Sequence, residues 1–90
     1  MPLPEILTAL ADDTSRKILT ILRGGSRSAG ELARMLEMPP SKLSYHLSKL
    51  KNAGLIYETR RKNFLLYDLN LTVLDEAILW LRTLKGEREE

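Results

Sequence analysis

Residues 28–54 read SAGELARMLEMPPSKLSYHLSKLKNAG: a short helical pattern, a proline pair, a second helical pattern and a closing glycine. Ser28-Ala29-Gly30-Glu31 has the form of a capping box, in which the serine hydroxyl accepts a free backbone N–H and the glutamate reaches back to the serine N–H. Leu32, Ala33 and Leu36 then recur at helical spacing and predict a core-facing stripe. Pro39-Pro40 ends this helix. Pro40 suits the first turn of the next one, because the N–H it lacks would be unpaired there anyway. Two helices joined by so tight a break have the spacing of a helix-turn-helix, whose second helix can enter a DNA major groove.

The second helix has two unlike sides. At about 100° per residue, Leu43, Leu47 and Leu50 fall together and predict the inner face. Ser41, Lys42, Tyr45, Ser48 and Lys49 point the other way, with Ser44 and His46 on the flanks. Hydroxyls and lysines of this kind can bond to phosphates and base edges, and a tyrosine can stack on a sugar or meet a thymine methyl.

Charge follows the same division. The net charge is only +2, but residues 41–62 hold Lys42, Lys49, Lys51, Arg60, Arg61 and Lys62 against Glu58 alone. Residues 1–40 balance, and residues 63–90 carry an acidic excess. Positive charge gathered on one helix and the segment behind it is the footprint of a nucleic-acid partner rather than an even solvated surface.

On either side of residues 28–54 the chain continues in helices and a hairpin. Leu3, Ile6, Leu7 and Leu10 mark a short first helix. Asp12 and Asp13 can cap a second, in which Ile18, Leu19 and Leu22 form the buried stripe before Gly24-Gly25. After Gly54, Leu55–Thr59 and Phe64–Leu69 are rich in β-formers, with Arg60-Arg61-Lys62-Asn63 between them. This predicts a hairpin with a cationic tip, in which Asn63 takes the left-handed backbone of the turn. A last helix is expected from Thr72, where Thr72-Val73-Leu74-Asp75 repeats the capping-box pattern, and the tail Gly86-Glu87-Arg88-Glu89-Glu90 is expected to fray.

The last helix is apolar over Val73, Leu74, Ala77, Ile78, Trp80, Leu81 and Leu84, wider than one small domain requires. With the apolar first helix it predicts a subunit interface built from Leu3, Ile6, Leu7, Leu10, Leu74, Ala77, Ile78, Trp80, Leu81 and Leu84.

Several chemistries find no footing. There is no cysteine, so neither a disulfide nor a thiolate metal site is available, and a single histidine does not make a zinc site. No serine–histidine–acid spacing, glycine-rich phosphate loop or paired carboxylate marks an enzyme. No cofactor is expected. The opening MPLPEILTAL lacks the marks of a signal peptide, and no apolar run approaches membrane-spanning length, so a cytoplasmic protein with no membrane partner is expected.

The expected architecture is a single mainly α (α+β) domain over residues 1–90, ordered α-α-α-α-β-β-α. Its parts are a helix-turn-helix at 28–54, a wing at 55–69 and a C-terminal helix at 72–85. ALADDTSRKILTIL, SAGELARML, SKLSYHLSKLKNAGLI and RRKNFLLYDL together resemble the ArsR/SmtB family of bacterial winged-helix repressors, and within it the sporulation-delay autorepressor subgroup. The similarity runs from about Leu7 to Leu84.

The resemblance implies a homodimer joined through the first and last helices and bound to an imperfect palindrome in promoter DNA. It also implies that Ser41, Lys42, Ser44, Tyr45 and His46 meet DNA with Arg60, Arg61 and Lys62 of the wing; Ser48 and Lys49 join them from the helix angles. The chain departs from the family where Asp13 replaces a frequent proline, Ser15 an arginine, Pro39-Pro40 a Ser-Gln pair and Tyr45 a histidine, which predicts a different operator. The family's metal sensors carry a cysteine pair on the third helix, absent from ELARML, and a histidine-and-acid site on the last, where only Asp75 and Glu76 stand. No metal response is expected, and the sequence names no small-molecule inducer. The competing reading is a winged helix whose basic patch docks an acidic protein.

Overall fold

The computed structural model describes residues 1–87. The chain runs α1 (Leu3–Ala11), α2 (Asp13–Leu22), β1 (Arg27–Ser28), α3 (Ala29–Leu36), α4 (Pro40–Asn52), β2 (Ile56–Arg61), β3 (Phe64–Leu69) and α5 (Leu71–Leu84). The helices and the hairpin fall where the sequence puts them, and the architecture is a winged helix-turn-helix. The two-residue β1 was not expected: it is too short to show alternation, and forms because Arg27 and Ser28 pair antiparallel with Tyr67 and Leu66 of β3. The sheet order is therefore β1-β3-β2.

Capping explains most of the boundaries. Asp12 adopts an extended conformation between α1 and α2, and its carboxylate accepts from the Ser15 backbone N–H at 3.0 Å. The buried Ser15 hydroxyl donates to the same carboxylate at 2.8 Å. The capping box at Ser28 and Glu31 is closed in both directions, at 3.1 and 2.9 Å. Pro40 occupies the first turn of α4.

The turn between α3 and α4 closes on a left-handed residue. Glu37 has φ 51°, while its N–H donates to the Arg34 carbonyl and the Met38 N–H to that of Ala33. This is the Schellman pattern, which glycine fills at less strain. Gly54 ends α4 the same way at φ 76°, and a Cβ there would meet Val73 only at ordinary contact distance. Backbone conformation, not space, asks for glycine at 54.

Three local expectations are corrected. Asn70, not Thr72, caps the last helix: its amide oxygen accepts from the Val73 N–H at 3.3 Å, and its own N–H is tied to the Leu55 carbonyl. Lys62 (φ 53°), not Asn63, takes the positive backbone angle at the hairpin tip. A two-residue connection with positive φ at its first position only follows the II′ pattern, which suits the twist of the strands. Gly86 and Glu87 do not fray, because their N–H groups donate to Thr83 and Arg82 and close α5; residues 88–90 of the expected tail lie outside the described residues.

The core gathers Ile6, Ile18, Leu32, Leu43, Leu50 and Leu55, all essentially inaccessible. It fixes α4 from three sides: α1, α2 and α3 all pack against it. Each such aliphatic side chain contributes roughly 1.5–3 kcal/mol by leaving water. α5 touches this core through Val73, Leu74 and Ala77, and then runs on beyond it.

Candidate nucleic-acid interface

Because Leu43, Leu47 and Leu50 anchor α4 inward, its opposite side must face solvent. Ser41, Lys42, Ser44, Tyr45 and Ser48 are exposed, and Lys49 is half-buried beside them. Tyr45 is 59% exposed, yet its ring is not loose. Lys49 Nζ lies 5.3 Å from the ring centroid, and the His46 ring meets it nearly edge-on at 5.4 Å and 74°. A helical i,i+4 pair of cation and aromatic face helps hold the phenol outward.

His46 does not share that surface. It is only 7% exposed, and its Nδ1 stands 3.2 Å from Asp12 Oδ2 without the alignment of a hydrogen bond. At about 100° per residue it stands about 40° from Leu50, at the edge of the leucine face rather than midway round the helix, and it is buried with that face where α4 packs. The expectation that His46 is offered to DNA is corrected on this ground.

Lys51, in the last turn of α4, ties the helix to the hairpin. Its Nζ donates to Glu58 Oε1 of β2 at 3.0 Å. That bond is the main reason the Glu58 carboxyl lies below its ordinary pKa, and the nearby Tyr67 hydroxyl works in the same direction. Tyr67 shifts upward, first because it is buried and then because Glu58 is close. In the sequence Lys51 and Glu58 register only as separate charges, since nothing in one dimension marks a helix–strand contact.

Arg60, Arg61 and Lys62 are all exposed. Only Lys62 and Asn63 form the tip, however, because β2 continues through Arg61, which pairs with Phe64. Successive strand residues point to opposite faces. Arg60 therefore shares the Glu58 and Tyr67 face, while Arg61 shares the face of Tyr57 and Thr59.

The expected interface residues divide. Ile6 and Ala77 are buried within one chain and have no surface to offer, a correction that follows from their packing in the core. Leu3, Leu10, Leu74 and Trp80 are half-buried. Leu7, Ile78, Leu81 and Leu84 are exposed, Leu84 by 67%. α1 packs on α2 and α4 rather than extensively on α5. Among the described residues no group of three or more His, Cys, Asp or Glu could hold a metal, and no helix is long and apolar enough to cross a membrane.

Comparison with known proteins gives a consistent result. Residues 12–58 match the pattern of the bacterial regulatory proteins of the arsR family. The chain is 40% identical over 76 residues to the transcriptional repressor SdpR of Bacillus subtilis, covering 84% of each chain. It is 37% identical over 68 residues to the arsenic resistance transcriptional regulator ArsR1 of Pseudomonas putida, covering 74% of this chain and 53% of that one. The ArsR-like transcriptional regulator from Rhodococcus sp. RHA1 superimposes with a TM-score of 0.89 at 26% identity, covering 94% of this chain and 78% of that one.

Proposed function

The chain belongs to the ArsR family of bacterial DNA-binding transcriptional regulators, and from that membership we propose that it is a repressor acting as a homodimer on a palindromic promoter operator. The observation that carries this reading is the continuity of one surface. The Ser41–Lys49 face of α4 and the cationic hairpin behind it are joined by the Lys51–Glu58 pair, so helix and wing approach a duplex together.

In the dimer two copies of α4 enter successive major grooves about 34–36 Å apart. Lys42, Ser44 and Tyr45 meet base edges, while Ser41, Ser48, Lys49 and the wing residues Arg60, Arg61 and Lys62 hold phosphates. Repression then follows from occupancy of the promoter. The repressor assignment draws support from the likeness to SdpR. The dimer draws support from Leu7, Ile78, Leu81 and Leu84, an apolar set that the chain does not cover. Ile78, Leu81 and Leu84 recur three residues apart on α5, and an uncovered apolar stripe of this kind marks an interaction surface.

The repressor proposed here does not answer to metal. There is no cysteine, and the one histidine is buried against Asp12. The relative named for arsenic resistance makes this a point to test. Zinc, cadmium and arsenite at micromolar levels are expected to leave DNA affinity unchanged; release of bound DNA by any of them overturns it.

The deciding experiment selects duplexes from random DNA with the purified protein. Recovery of one inverted repeat with half-sites one helical turn apart supports the reading. Weak retention blind to sequence overturns it and favours the docking of an acidic protein.

A further inference from the structure

Phe64 is 62% exposed, although it opens a strand and stands across from Arg61 in the register. Every residue from 57 to 65 is exposed. On the β3 side Tyr67 is still buried in the core and pairs with β1 together with Leu66, so the hairpin runs free only past the Thr59–Leu66 pair, where two or three residues per strand at about 3.3 Å each carry its tip roughly 10 Å outward. The ring at that tip stays largely in solvent within its own chain.

Its surroundings indicate the partner. Arg61 is its cross-strand neighbour, Lys62 lies in the turn beside it, and Arg60 follows on the other face. An apolar side chain ringed by cations fits a polyanion that has an apolar interior, and double-stranded DNA has both. Two strands about 4.8 Å apart, with side chains added, are too broad for a minor groove about 6 Å wide. Only tip side chains can enter it, and apolar wedges in that groove act by partly unstacking a base step.

We propose that Phe64 is such a wedge. It enters the minor groove beside the segment that α4 reads and opens one base step there, while Arg61 and Lys62 hold the flanking phosphates. The wing then adds sequence preference through deformability, favouring flexible pyrimidine–purine steps at the point of entry. This rests on the DNA reading above.

The test uses full-length protein and the duplexes it selects from random DNA, with 2-aminopurine placed at successive flanking steps. The wild-type protein is expected to raise fluorescence at one step in each flank. Phe64→Ala is expected to abolish that rise and weaken binding about ten-fold, by loss of one base–aromatic contact. Phe64→Leu restores much of both. Because no charge is lost, the slope of log affinity against log salt stays that of the wild type, whereas Arg61→Ala lowers it. Unchanged affinity and a persisting fluorescence rise for Phe64→Ala, or a silent probe with the bound wild-type protein, overturn the wedge alone. Altered oligomeric state in Phe64→Ala makes the tip a contact between copies and also overturns it. Failure of the wild-type protein to bind any duplex removes the DNA reading and the wedge together.

Discussion

His46 Nδ1 lies 3.2 Å from Asp12 Oδ2, so the imidazole of the reading helix is held against the break between the first two helices. The same carboxylate caps α2 and takes the buried Ser15 hydroxyl. One side chain thus serves the start of one helix and the placement of another. Asp12→Ala is expected to lower unfolding free energy by about 2 kcal/mol: roughly 1 for the lost cap and the rest for leaving Ser15 without its acceptor. Asp12→Asn, which can still cap, should cost less. Denaturant titration ranks the two, and equal stability of Asp12→Ala and wild type would refute the assignment.

Acid should weaken the fold through the same residue. The hydrogen bond from the Ser15 hydroxyl holds the Asp12 carboxyl below its ordinary pKa, and the bond from Lys51 does so for Glu58. A lowered native pKa means the contribution is complete above the ordinary value near 4 and lost as pH falls through the native one. Tyr67, raised by burial, acts at the other end, where stability falls as pH climbs past about 10 and the unfolded chain ionises first. Stability of wild type followed from pH 6 to 2 should drop more steeply than that of Asp12→Asn combined with Glu58→Gln.

Glu37 offers a gain. Its left-handed backbone at the turn between α3 and α4 is strained for any residue with a Cβ. Glu37→Gly is expected to stabilise the protein by about 0.5–1 kcal/mol despite the greater entropy of the unfolded chain. A lower melting temperature for the variant would show that the glutamate side chain contributes more than the strain costs.

Base-reading and phosphate-holding positions should separate in binding assays. Lys42→Ala or Tyr45→Ala is expected to change which sequences are recovered from random DNA. Arg61→Ala should weaken all of them alike and reduce the salt slope by about one. A salt slope untouched by Arg61→Ala removes the wing from the phosphate contacts.

Leu81→Glu tests the proposed pairing of subunits. Leu81 is 49% exposed and outside the core, so the monomer should keep its fold while sedimentation shows the dimer lost. Binding to an inverted repeat then falls by several orders of magnitude, as each half-site must be held alone. A dimer that survives the change places the interface elsewhere.

The sequence made the helices and the hairpin legible because local rules decide them: the Ser28 capping box, Pro40 at a first turn and the leucine spacing of α4 all act within a few residues. β1 escaped notice because it exists only through Tyr67 and Leu66, some forty residues on. His46 is a different case: its position on α4, about 40° from Leu50, already sets it at the edge of the leucine face, and packing buries it there. Ile6 and Ala77 looked like the rest of their apolar stripes until packing divided those stripes into core and exposed rim. The outward positions of α4 were readable from angles alone, because three buried leucines leave the opposite face nowhere else to go.

The alternation of β2 has a further outcome. Arg60 and Arg61 project from opposite sides of a slender ribbon, so the end of the hairpin carries positive charge whichever of its two sides is turned toward a polyanion.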